Sequence, residues 1–553
     1  MQSLNKFLTL ICFIQFAFTA TAQNPDLPSG EVEVIADFEA RLIETEKLDV
    51  APQLPPLDTS TVRQSYNPQP LTLNVEYLPP RIRPIAMRGD ELPTAYNGYA
   101  KIGAGFPKSF YGDLSYDIFA QEKFDVGIRV NHHSADNTNN LENQRFSNTS
   151  AGATGTYYLP QGYSVKGNFN YAVDDYYLYG YTSEDNPTPP IDVVTPTDVL
   201  QRFNTVDVNL AFTNALPTKG DLNYHANLDF YFRTDGDLDV GRERGTDLSI
   251  GATKWFDGQH PLSVTLRTDF TDFETNEEFD LNNFFLQPNF TYHAENFKVK
   301  AGLNLASHND EYYFFPDAEA TANIIGSALA GFVGAKGDLY KNNFRNLTEY
   351  NPYIQSRSRI RNTDYINFYG GVKGNVVGFE YTGQVGYKQA NNLALFVNDF
   401  TGDDNFDNFN RFDVVYDTVD VVTIGGTVTS PNFRGFDLTG TINFNNFSPL
   451  EQEEAWHLPA FELTVQAKYV TLEDKVRLKG QLFIENGVPF QNFAGETANL
   501  NGLLDISLGA EYIFSENFGA FVDVYNLANN RRERWYNYPT LGINVLAGLT
   551  AKF

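Results

Sequence analysis

Three aspartates at alternate positions, Asp235, Asp237 and Asp239, place carboxylates at the first, third and fifth places of a loop. That is how oxygen donors are set out for a hard cation such as Ca²⁺. An EF-hand is excluded, because its sixth place needs a glycine and its twelfth a bidentate glutamate, and here these are Val240 and Thr246. What remains is an irregular Ca²⁺ site or three solvated carboxylates, and Asp403, Asp404 and Asp407 offer the same choice. The seven histidines are scattered, and only His132 and His133 adjoin. Neighbouring side chains on a strand point to opposite faces, so that pair cannot share one metal ion. No Ser or Thr stands in a local motif with a histidine and a carboxylate, so no catalytic residue is expected and the chain reads as a non-enzyme. Apart from the possible Ca²⁺, no cofactor is expected.

Two basic clusters stand out in a chain whose formal net charge is −29: Arg81, Arg83 and Arg88, and Arg531, Arg532 and Arg534. The overall acidity argues against nucleic acid as a partner. The second cluster could meet anionic lipopolysaccharide, or it could simply be solvated. Cys12 is the only cysteine. It lies within residues 1–22, where Lys6, the apolar run Phe7 to Phe18 and Ala20-Thr21-Ala22 read as a secretory signal cleaved before Gln23. Ile11 stands where a lipoprotein would need a small residue before its cysteine. The mature chain is therefore expected to lack any thiol for a disulfide, a metal or catalysis.

Elements must position these residues, and composition narrows which ones. Aromatics make up 15% of the chain, with 46 Phe and 32 Tyr, while the mean hydropathy is −0.35. After residue 22 no apolar run approaches the roughly 20 residues of a spanning helix. From residue 96 on, apolar and polar residues alternate with a period of two. Leu222, Tyr224, Ala226, Leu228, Phe230 and Phe232 interleave with Asn223, His225, Asn227, Asp229, Tyr231 and Arg233. Phe461 to Tyr469 and Val476 to Ile484 repeat the pattern. A soluble sandwich would show the same alternation, but the links between segments discriminate. Short links near Pro160-Gln161, Asp257-Gly258, Gly326-Ser327, Gly374-Asn375, Glu473-Asp474 and Ser515-Glu516 alternate with long polar ones such as Phe273 to Asn282, Asn342 to Asn362 and Asn529 to Thr540. Tight periplasmic turns and extended external loops alternate in this way in outer-membrane barrels.

The count is about 22 strands if Leu393 to Asn398 belongs to a long loop. An even number puts both barrel ends on the periplasmic side. The expected fold is thus all-β: an antiparallel transmembrane barrel over 96–553, preceded by the signal (1–22) and a Pro-rich segment (23–95) lying in the lumen or the periplasm. In the lumen, Arg81, Arg83 and Arg88 would pair with inward carboxylates such as Asp229, Glu462 or Asp505.

The final strand alternates from Leu541 to Phe553 with only Leu546 out of pattern, and the chain ends on an aromatic. Together with Tyr525-Asn526-Leu527, Asn529-Asn530, Trp535 and Tyr538-Pro539-Thr540-Leu541-Gly542, it resembles the close of a TonB-dependent receptor barrel. The resemblance implies a 22-stranded barrel that takes up a ligand, with Phe553 as the signal read by the barrel-assembly machinery. In that family a folded plug fills the lumen and a TonB box couples it to an energised partner. Residues 23–95 are too few for a full plug and hold no convincing TonB box, so the resemblance implies a truncated plug. Two functions stay open: a passive or partner-gated conduit for a polar ligand, or an accessory barrel in an outer-membrane complex such as the assembly machinery, beside an outer-membrane protein or lipoprotein.

Overall fold

The computed structural model describes residues 96–120, 123–181, 195–236, 241–356, 358–399, 411–471, 473–492 and 494–553. The chain runs through β1 (Gly98–Phe106), β2 (Ser109–Ala120), β3 (Phe124–Asp136), β4 (Arg145–Tyr158), β5 (Tyr163–Tyr177), β6 (Leu200–Asn214), β7 (Leu222–Asp235) and β8 (Arg242–Phe256). It continues as β9 (His260–Glu274), β10 (Glu278–His293), β11 (Phe297–His308), β12 (Glu311–Ile325), β13 (Leu329–Asn342), helix α1 (Phe344–Tyr350), β14 (Arg361–Val376) and β15 (Phe379–Asn398). Then follow β16 (Phe412–Thr429), β17 (Phe436–Pro449), β18 (Phe461–Thr471), β19 (Val476–Glu485), β22 (Leu503–Ile513), β23 (Phe518–Tyr525) and β26 (Asn544–Lys552). Two small ribbons sit in the links: β20 (Pro489–Gln491) with β21 (Thr497–Asn499), and β24 (Glu533–Trp535) with β25 (Tyr538–Pro539).

Leaving the ribbons aside, 22 strands pair antiparallel with their neighbours in sequence, and β1 pairs with β26 to close the ring. Closure removes both edges, so the wall leaves no open row of unpaired backbone groups. The closing register sets Tyr99 opposite Lys552 and Phe106 opposite Val545. Phe553 extends it, its backbone N–H and C=O bonding Gly98 at 3.0 and 2.7 Å. Its ring stacks on Tyr116 at 6.0 Å and lies over Gly98, where a Cβ would come within 2.2 Å of it and displace the ring.

The alternation sorts side chains as expected. Leu549, Val385, Ile424 and Phe368 face outward to lipid and are exposed, as an apolar band must be. Inward positions carry amides and charges that bond along the wall. Asn209 donates to Asn227 at 2.8 Å and to Asp229 at 2.6 Å, and Arg267 bridges Asp247 and Asp269 at 2.6 and 3.2 Å.

Three expectations need correction. Leu393 to Asn398 is neither loop nor separate strand but the upper part of β15, paired with β16 above a register shift at Ala390/Leu393. Its apolar run hides the alternation because both faces are covered: Phe396 packs inside the mouth, while Leu395 lies on the other face under Ala455 and Trp456. The turn placed at Gly374-Asn375 is Val377-Gly378, both at positive φ, and the Asn375 side chain accepts from the Gly378 N–H at 2.9 Å. The external links are also not uniformly long. β1–β2 turns within 107–108, β9–β10 within 275–277 and β11–β12 within 309–310. There the polar sequence belongs to strands that continue pairing beyond the membrane, where both faces can be solvated.

Val385 and Ile424 are cross-strand partners, both about half exposed, and Val385 lies roughly half-way up a tilted crossing of about 9 to 11 residues. Val385→Arg should cost about 2–4 kcal/mol in urea unfolding from lipid vesicles. The lumen-facing neighbour change Gln384→Arg should cost about 0.5 kcal/mol or less.

Candidate functional site: a loop cap across the outer mouth

The long links all leave one end of the barrel, which identifies it as the external end. Their described parts fold inward there instead of standing in water. Their contacts join parts of the wall many strands apart.

The β13–β14 link reaches furthest. Asn343 caps α1 by accepting the Asn346 N–H at 3.0 Å. The start of the helix then meets Glu243 of β8, whose carboxylate accepts the N–H groups of Phe344 at 2.6 Å and Arg345 at 3.1 Å and the Tyr231 hydroxyl at 2.8 Å. Glu243 is completely buried. A carboxylate so placed satisfies helix N–H groups that have no partner within the helix. Arg345 pairs with Asp207 of β6 at 2.5 Å. Arg233 of β7, stacked on Phe203, donates to Thr205 and Thr348 at 3.0 and 2.9 Å, and Gln201 donates to the Ile354 carbonyl at 3.1 Å. A link rooted on β13 and β14 is thus pinned to the inner wall at β6–β8.

From the other side comes the last external link, 526–543. The Tyr538 ring stacks on Tyr353 at 3.8 Å and meets Tyr179 at 5.0 Å. It also covers Gly180, where a Cβ would approach the ring to 2.7 Å. The Pro539 carbonyl accepts from Tyr179 at 3.1 Å and Gln144 at 2.7 Å. Trp535 packs among Tyr350, Phe396, Phe412 and His457 with ring centroids 5.2 to 5.5 Å apart. These rings belong to one continuous apolar cluster that also takes Leu178, Val199, Phe273, Phe344, Val488 and Leu500. Burial pushes the Tyr353 and Tyr538 hydroxyls well above their usual pKa.

His457, in the β17–β18 link, is fully buried in this cap. Its Nδ1–H donates to the Phe396 carbonyl at 2.8 Å, and Nε2 has no partner among the described residues. Burial, reinforced by the nearby Arg534 charge, lowers its pKa to about 4 against the hydrogen bond that raises it.

The candidate residues named from sequence fall in several places. Asp235 is buried at the top of β7 and accepts the Ser356 hydroxyl, so its carboxylate is part of the cap. Asp237, Asp239, Asp403, Asp404, Asp407, Arg81, Arg83 and Arg88 lie outside the described residues. Among the described residues no three His, Cys, Asp or Glu side chains gather as metal ligands. His132 and His133 do diverge, the first bonding Thr149 and Ser134, the second packing on Tyr111 and Phe146. Arg534 is not a surface charge: it pairs with Glu485 at 2.9 Å and lies over Tyr350 and Trp535. Sequence reasoning missed Glu243 and Tyr353, and it named Trp535 and Tyr538 only for the family resemblance, not as cap residues. The density of aromatics in a link read as polar, Trp535-Tyr536-Asn537-Tyr538, was the available signal.

No family model and no curated protein matches the sequence. Solved structures do match. The ferripyoverdine receptor FpvA of Pseudomonas aeruginosa aligns with TM-score 0.61 and 11% identity over 84% of this chain and 72% of its own. The ferric-catecholate import receptor Fiu of Escherichia coli K12 gives 0.62 and 10% over 83% and 82%, and the FrpB iron transporter of Neisseria meningitidis gives 0.65 and 10% over 84% and 82%. The fold is that of a TonB-dependent receptor barrel. In this receptor-like barrel the strand number agrees with the expectation from link parity.

Two outcomes follow from the cap. Glu243→Ala removes three hydrogen bonds to a buried carboxylate and should destabilise the α1 link by about 3 kcal/mol, read as faster amide exchange at Phe344–Tyr350. For His457 the unfolded chain binds the proton below about pH 6.5 while the folded cap resists it to about 4. Stability is therefore full above pH 6.5 and falls by about 3 kcal/mol as pH drops towards 4. Exchange over 453–460 and 533–539 should rise in that window, and His457→Asn should flatten the response.

Proposed function

We propose that this protein is an outer-membrane conduit for a polar solute, shut from outside by its own loops and opened by a ligand or a partner. The observation that carries this reading is the α1 link, which crosses the mouth to Glu243 and stacks on the last external link through Tyr353 and Tyr538. A wall of 22 strands encloses a polar lumen of the size used for solute passage, and a crossing held by a few buried contacts can serve as a gate. The structural neighbours named above are receptors and transporters, which supports a transport role over catalysis. The proposal includes export by the signal at residues 1–22, insertion through the strand ending in Phe553, and contact of Arg531 and Arg532 with lipopolysaccharide.

One observation favours a second reading, a non-transporting subunit of an outer-membrane complex such as the assembly machinery. The cap interior holds a continuous apolar and aromatic cluster, like a structural core. Current across planar bilayers separates the two. The intact protein should pass little steady current, and deleting 343–356 together with 23–95 should open a lasting conductance. No current from the doubly deleted protein, with a stable complex recovered from native membranes in mild detergent, would replace the first reading by the second.

A further inference from the structure

One groove in the lumen wall at the seam, where β18, β19, β22, β23 and β26 meet β1, carries charge of the opposite sign to the protein as a whole. Lys101, Lys468, Arg477 and Lys479 face one groove there with only two carboxylates, Asp523 and Glu511. Both carboxylates are already engaged. Asp523, almost fully buried, is held by Lys101 and Lys479 at 2.9 Å each. Glu511 takes Arg477 at 3.4 Å and the Thr550 hydroxyl at 2.7 Å.

Lys468 is left over. In register it stands directly opposite Lys479 on one side and Asp437 on the other. Asp437 is bonded by Asn432 in the periplasmic turn, and Lys468 makes no ion pair with any described residue. Like charges directly opposed across two strands destabilise the pair; here Asp523 answers Lys479, while Lys468 makes no ion pair. The half-exposed Lys479 and Lys468 also line a second hollow that continues up the wall past Gln481, Ser507 and Tyr525.

The groove has apolar surface as well. Phe521 is buried against the wall with the Lys101 ammonium 4.0 Å from its ring centre, and Tyr99 lies alongside. Gly103 makes room for the Phe521 ring, which a Cβ would approach to 2.7 Å. Gly509 lets Lys479 cross to Asp523, since a Cβ there would stand 2.2 Å from the lysine Cε. The glycines thus let a covered ring and a row of cations stand together on the lumen wall.

We infer that this groove binds an anionic solute whose charge sits on a flat or apolar body, with Lys468, Lys479 and Arg477 taking the anion and the half-buried Tyr99 the body. An anion beside Lys468 and Lys479 relieves their repulsion, and an aromatic face offers a ring ligand stacking area. The site goes beyond the conduit reading and holds for a barrel that passes nothing, because binding needs no current.

The test titrates pyranine, a planar aromatic trisulfonate, into the purified full chain in non-ionic detergent and reads fluorescence anisotropy. Saturable binding is expected. Lys468→Gln should weaken it about tenfold, the loss of one charge-assisted contact, without disturbing the fold, because that side chain makes no ion pair. The same change at Lys298, on the lumen wall of β11, should leave binding unaltered. Heat-modifiable gel mobility verifies that each variant is folded. Absence of saturable binding to the folded protein, equal affinity in Lys468→Gln, or equal loss in Lys298→Gln would each overturn the assignment.

Discussion

A buried carboxylate on one wall holds a helix that starts from another. Glu243 accepts two backbone N–H groups of α1 and a tyrosine hydroxyl, and through them the β13–β14 link is drawn across the mouth to β8. The rest of the cap depends on that crossing. Tyr353 is where Tyr538 can stack on it only because α1 is anchored, and Tyr350 at the helix end gives Trp535 and Arg534 their surface. A charge taken out of water is costly unless its hydrogen bonds are complete, so Glu243 selects one arrangement of the loop over the many that solvation would allow.

The wall meets a different constraint. A crossing strand faces lipid on one side and a wet lumen on the other, and its sequence must alternate to satisfy both. The lumen side then carries many charges at close spacing, and the structure settles them in local sets: Arg267 with Asp247 and Asp269, Lys341 with Asp269, Lys300 with Asp317. In the seam groove Lys468 makes no ion pair with any described residue.

The difference between wall and cap explains what could be read from sequence. Alternation is a local property, so Leu222 to Arg233 and the closing strand to Phe553 were legible residue by residue, and link parity supplied the number of strands. It failed at Leu393 to Asn398, where both faces are covered and the period of two disappears. The cap was not legible because its contacts join residues far apart in the chain. Glu243 reads as one more inward polar residue until Phe344 is beside it, about a hundred positions later. Arg534 reads as one of three solvated arginines until Glu485 and Tyr350 enclose it. His457 gives no hint of burial in a stretch that begins Glu451-Gln452-Glu453-Glu454.

The two kinds of contact in the cap bear differently on opening. The aromatic part, Tyr353 on Tyr538 and the rings about Trp535, is non-directional and can slide with small loss at each step. The Glu243 part is directional: either the helix start is at the carboxylate, or that group keeps only the Tyr231 hydroxyl. An equilibrium between shut and open mouths would therefore be two-state, set at Glu243, with the rings following. Moving such an equilibrium from one extreme to the other takes about 5.5 kcal/mol of differential binding. That is comparable to the combined strength of the hydrogen bonds at one buried carboxylate and a stacked pair of rings. On the conduit reading proposed above, an effector acting from outside need not dismantle the cap; it need only bind better when α1 has left Glu243.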